Sequence, residues 1–148
     1  MKKSVRLSDL TVAVCANLSM SYSEVNYSGS INKMAERYTL FAEHCLPDLT
    51  DGEFGAIAQA YNGHLFKDVL TECKAMGWQI DQAIVYDRNV GDNLGLSQDD
   101  YSSQEKLSIA ARPFMQRVSG WSISQRLAVI AKVNIFWKGE ASIDDGEE

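Results

Sequence analysis

A short run near the start of the chain, Lys3-Ser-Val-Arg-Leu-Ser8, alternates polar and apolar side chains with a period of two. Val5 and Leu7 point one way; Ser4 and Arg6, with Lys2 in line, point the other. That is the pattern of a half-buried strand. No other strand signal lies nearby. A lone strand leaves its backbone N–H and C=O groups unpaired, so this feature calls for a second strand, and a second copy of the chain supplies one. The expectation is a homodimer joined through residues 3–8.

Beyond this run the apolar pattern changes to steps of three and four, and a mainly α chain is expected. A first helix is expected from Asp9 to about Met20, capped by Ser8 or Asp9, with Leu10, Val14 and Leu18 as its buried stripe. After a polar turn, Ser28 is the expected N-cap of a second helix. Its face is Ile31, Met34, Ala35, Tyr38, Phe41, Ala42 and Cys45, and Pro47 stops it. Thr50 and Glu53 have the spacing of a capping box for a third helix, which Asn62-Gly63 closes. A fourth is expected from about His64 to Met76, with Leu65, Phe66, Val69, Leu70 and Cys73 inside and Gly77 as its end. Gln82–Tyr86 fits a short helix or a strand, and 91–100 has the composition of a surface loop. Residues 102–118 read as a helix that Pro113 kinks or divides, and a last helix begins after Ser122.

The domain reading is a dimerisation unit over residues 1–46, a helical extension over 47–138 and an acidic disordered tail over 139–148. Charge follows this division. Residues 1–40 carry five basic side chains against three acidic ones, and the rest carries nine against seventeen. A nucleic-acid backbone would be repelled by the acidic body, so a DNA-binding face belongs in the N-terminal part. No apolar run approaches the roughly 20 residues of a membrane helix, and no leader pattern opens the chain. The three cysteines, Cys15, Cys45 and Cys73, stand in apolar contexts without a C-x-x-C spacing, which fits reduced thiols in the cytoplasm.

The order strand, helix, polar turn, capped helix, carried by "SVRLSD" and "YSGSINKMAERY", resembles the ribbon-helix-helix family of DNA-binding proteins over the first third of the chain. The resemblance implies that two chains pair their strands into a ribbon that enters the major groove. Lys2, Ser4 and Arg6 would then face the bases, and the start of the second helix would hold a phosphate. Physical chemistry agrees with these roles. A two-stranded ribbon fits the major groove, and arginine pairs bidentately with guanine. Ser28, Gly29 and Ser30 offer amides and hydroxyls to an anion, with Lys33 about one turn further on. The first helix departs from the family in its apolar run Val12-Ala-Val14-Cys15-Ala16. The remaining chain, through "RYTLFAEHCLPDLTDGEFGAIAQAYNG" and "SQRLAVIAKVNIFWKGE", is similar to uncharacterised bacterial and mobile-element proteins, which suggests a plasmid or phage setting.

Motifs of catalysis are missing from the sequence. His44 and His64 are the only histidines, neither lies in H-E-x-x-H, and there is no P-loop, G-x-S-x-G or G-x-G-x-x-G. No enzyme, metal or cofactor is expected. Asp92, Asp99 and Asp100 lack the ligand period of a calcium loop. Trp121 and Trp137 flank the last helix and are the candidate partner surface. The leading functional reading is a dimeric, sequence-specific DNA-binding regulator. The alternative is a protein-binding inhibitor of a host nucleic-acid machine, anti-CRISPR-like, that works through its acidic and aromatic extension.

Overall fold

A computed structural model of the chain describes residues 7–19 and 25–136. Within them the protein is mainly α, with seven α-helices and no strand. Residues 1–6, which hold most of the expected strand, and 137–148, which hold the expected tail, lie outside the described residues. The chain divides into two compact units, Met1–Phe41 and Ala42–Glu148. The boundary falls inside the second helix, a few residues before the end of the expected 1–46 unit.

In the first unit, α1 spans Asp9–Leu18 and is capped by Ser8, whose hydroxyl accepts from the Thr11 amide at 3.2 Å. The second helix, α2, spans Tyr27–His44. It starts one residue before the expected cap: Asn26, not Ser28, closes its first turn. The Asn26 side-chain oxygen accepts from the Gly29 amide at 2.9 Å and its carbonyl accepts from the Ser30 amide at 3.0 Å. A polar clasp joins the two helices. The Cys15 carbonyl accepts from the hydroxyls of Ser19 at 2.7 Å and Ser30 at 3.1 Å, and the Asn26 amide donates to Ser19 at 3.0 Å. Cys15 is fully buried, whereas Leu10, expected in the buried stripe, is 74% exposed. At ten residues, α1 has too little surface facing α2 to bury a full apolar stripe.

The second unit is built around α4 (Val69–Tyr86), which packs against α3 (Asp51–Ala60), α5 (Arg88–Asn93), α6 (Gln104–Ser119) and α7 (Ile123–Phe136). Its core joins Ile57 of α3, Cys73, Met76, Ile80 and Ile84 of α4, Val90 of α5, Phe114 and Val118 of α6, and Val129 and Val133 of α7. The capping box at Thr50 and Glu53 is formed in both directions, at 2.9 and 3.1 Å. Asn62-Gly63 follows the end of α3, as expected, and Gly63–Leu65 makes a single 3-10 turn.

α4 differs most from expectation. It begins after Asp68, which caps Thr71 at 2.8 Å, and runs through Gly77 to Tyr86. The buried row Cys73, Met76, Ile80 and Ile84 continues across the glycine, and packing on four neighbouring helices outweighs the roughly 1 kcal/mol that a glycine costs in a helix. This phase leaves Val69 and Leu70, expected inside, exposed, and Leu65, in the 3-10 turn ahead of α4, is exposed too. The expected loop over 91–100 is partly helical. Asp87 caps α5, Val90 and Gly91 are buried, and only the stretch beyond Asn93 is turn. Pro113 sits within an unbroken α6. Its missing N–H would have bonded Ile109, which is exposed, so water can take that carbonyl.

Candidate functional site

The residues expected to read bases, Lys2, Ser4 and Arg6, lie outside the described residues, as does Trp137. The four expected phosphate contacts fall in the first two turns of α2, and the structure separates them into two pairs. Ser28 and Lys33 are exposed. Gly29 and Ser30 are occupied: the Gly29 amide is bound by Asn26, and Ser30, 2% exposed, turns its hydroxyl to the Cys15 carbonyl. A cap at Asn26 leaves the amides of Tyr27 and Ser28 as the open donors of the first turn. An anion there would meet these amides and the Ser28 hydroxyl, with Lys33 further along. Gly29 is fitted to this arrangement. A Cβ at that position would come within 2.6 Å of the Asn26 amide nitrogen and displace the cap.

The same two helices present an unusual amount of apolar surface. Cys15 and Ser30 are the buried residues among those described in the first unit, while Leu10, Val12, Tyr27, Ile31 and Leu40 are exposed. Of the α2 face expected to be buried, Ile31, Ala35 and Tyr38 are exposed, Met34, Phe41 and Cys45 are half-buried, and Ala42 is buried.

In the second unit, Trp121 is half-buried and stacks edge-on against Phe114, with ring centroids 6.5 Å apart and planes at 88°. It belongs to the packing of α6 and α7. Trp78, on α4, is exposed, at 60%. A groove of about 340 Å³ runs between α4 and α6, with Ile84, Leu107, Ala111 and Met115 on its floor and Asp81 and Arg112 on its rims. The sequence signal for this face was the spacing of Leu70, Trp78 and Val85 on one helix, which is lost if the helix is ended at Gly77.

Charged groups elsewhere are committed to structure. Arg117 reaches from α6 to Glu53, donating to Oε1 at 3.3 Å and to Oε2, and also bonds the Asp48 carbonyl at 2.7 Å. Burial pushes the Glu53 carboxyl up, but its bonds to Thr50 and Arg117 outweigh this and hold it below the usual carboxylate range. Asp99 pairs with Lys106 at 3.3 Å, and Asp100 accepts from the Ser97 amide at 2.7 Å. Among the described residues no three His, Cys, Asp or Glu side chains gather where they could hold a metal ion. None of the described helices is long and apolar enough to cross a membrane.

Comparison with protein-family models, with curated proteins and with solved structures returned no match for this chain.

Proposed function

We propose that this chain is a dimeric, sequence-specific DNA-binding regulator of ribbon-helix-helix type, in a plasmid or phage setting. The observation that carries the reading is the open apolar face of the α1–α2 unit. A helix pair that buries little more than Cys15 has almost no core of its own, and a second copy is the partner that both the lone strand and this face require. The strand-forming sequence ahead of α1 and the two helices after it follow the family's order. Ser28, the free amides of the first turn and Lys33 fit a phosphate, and Lys2, Ser4 and Arg6 are the base-reading set. The acidic second unit stays in solvent and serves assembly or effector contact.

Selection of random duplex DNA on the full-length protein, repeated at rising salt, tests this. The expected result is enrichment of a two-fold symmetric sequence whose affinity falls steeply with salt, as counterions are released from the phosphates. A dimer that enriches no sequence at low salt would end the regulator reading. The acidic excess of the second unit supports the alternative, an inhibitor of a nucleic-acid machine. A stable protein partner that survives nuclease in a native pulldown would favour it.

A further inference from the structure

Six residues of α4, five exposed and Gly77 half-buried, form one stripe: Leu70, Lys74, Gly77, Trp78, Asp81 and Val85. At 100° per residue they fall within about 100° of arc, bordering the buried row of Cys73, Met76, Ile80 and Ile84, with Gly77 nearest to it. Leu70 is 51% exposed, Trp78 60% and Val85 47%. Lys74 and Asp81 are exposed as well. Gly77 faces open space, because a Cβ built there meets nothing within 4 Å.

The order of these residues is symmetric about the point between Gly77 and Trp78. Stepping outward, glycine is matched with tryptophan, lysine with aspartate, and leucine with valine. A stripe of this kind is complementary to itself when a second copy lies antiparallel across a two-fold axis through its centre. We propose that α4 is a self-association surface, occupied by α4 of a second copy in this register. Trp78 then lies beside Trp78 of the partner subunit along one edge of the seam, and Gly77 lies opposite Gly77 of the partner subunit along the other, where bare backbone lets the two helices approach closely. Lys74 faces Asp81 of the partner subunit, and Asp81 faces Lys74 of the partner subunit. Leu70 meets Val85 of the partner subunit at the mouth of its groove between α4 and α6. Two aromatic anchors lie at the centre and two ion pairs flank them, an apolar middle with a charged surround. The surface is distinct from the one proposed for the N-terminal unit, and the inference does not rest on DNA binding.

Sedimentation of the full-length chain over the micromolar range tests it. Association through the N-terminal unit is common to every sample, so differences between variants report on α4. Lys74→Asp and Asp81→Lys each turn two attractive pairs into two repulsive ones, and each is expected to weaken one association step by on the order of tenfold. An equimolar mixture of the two variants, and the double variant K74D/D81K, restore the attractive pairs and are expected to recover the wild-type step. Gly77→Glu sets two like-charged side chains against each other in the seam, where the two backbones must come close. It is expected to abolish the step while leaving the melting temperature of the separated chain unchanged or raised, since the side chain meets nothing in the monomer and any residue but proline is better in a helix than glycine. Wild-type sedimentation by Gly77→Glu, or failure of the mixed variants to recover, overturns the proposal.

Discussion

The guanidinium of Arg126 donates to the Cys73 carbonyl at 3.1 Å, which ties the start of α7 to α4. The same side chain bonds the carbonyls of Trp121 at 3.2 Å, Val118 at 3.1 Å and Ser119 at 3.4 Å. It takes up the Ser119 carbonyl and adds a second donor to the Val118 carbonyl, which already accepts from the Trp121 amide at 3.1 Å, and its charge suits the negative end of α6.

Arg126→Met keeps the length of the apolar stem and removes every one of these donors. It is expected to lower the unfolding free energy by about 2–3 kcal/mol, the range for hydrogen bonds made by a charged group, and urea unfolding reads it directly. Arg126→Lys carries one ammonium in place of the planar fork and is expected to recover less than half of the loss.

Glu53 places an acid limit on the second unit. Its folded carboxyl titrates below its unfolded one, so its contribution is complete at neutral pH and is lost as pH falls below about 4. Melting temperatures should fall more steeply between about pH 5 and pH 3 for the wild type than for Glu53→Gln, which has no proton to take up. Curves of equal slope would show that the Arg117–Glu53 pair is not linked to folding.

The thiols should separate by reactivity. Burial, with the Glu72 charge as a second cause, pushes the Cys73 thiol up against a smaller opposing effect of Arg126, and Cys15 is fully buried. Cys45 is only half-buried. A disulfide reagent under native conditions is expected to modify Cys45 first and the other two at rates set by opening of the structure. Fast modification of Cys73 would contradict the packing of α4 on α7.

On the DNA-binding reading, Lys33→Ala should weaken binding to all sequences alike and reduce the salt dependence by about one counterion. Arg6→Ala should cost about 1–3 kcal/mol on the preferred sequence and relax its preference at one position. Ser30→Ala acts differently, by breaking the bond to Cys15. Its loss should appear in thermal stability before it appears in DNA affinity. Gel-shift titration at two salt concentrations separates the three outcomes.

Much of the helical framework was legible where local signals decide it. Thr50 and Glu53 announce α3 because a capping box needs nothing but its own spacing, and Ser122 announces α7 in the same way, its hydroxyl accepting from Gln125 at 3.1 Å. Sequence failed where tertiary packing overrides a local preference. Gly77 reads as a stop and is the middle of the longest helix in the second unit, and the mistake divides the stripe on either side of it and leaves Trp78 outside any expected helix. Ser28 outranks nothing as a cap once Asn26 is in position, and hydroxyl-rich text alone cannot say which oxygen faces an amide. Trp121 was readable as an aromatic but not as the partner of Phe114, since their contact depends on how α6 and α7 meet.

Asp87 belongs to two helices at once. Its amide closes α4 on Ala83 at 2.8 Å, and its carboxylate opens α5 on Asn89 at 2.9 Å. No spare residue lies between the two helices, so their relative direction is stored in the torsion angles of a single position. Such an elbow tolerates a change of letter better than a change of length. Asparagine or serine could cap α5 in its place, but one inserted residue would rotate Val90 and Gly91 out of the core and take Gly91 away from Tyr101, whose hydroxyl would stand 2.0 Å from any Cβ there. Among divergent copies of this chain, gaps should therefore gather in the turn beyond Asn93 and spare the junction at Asp87.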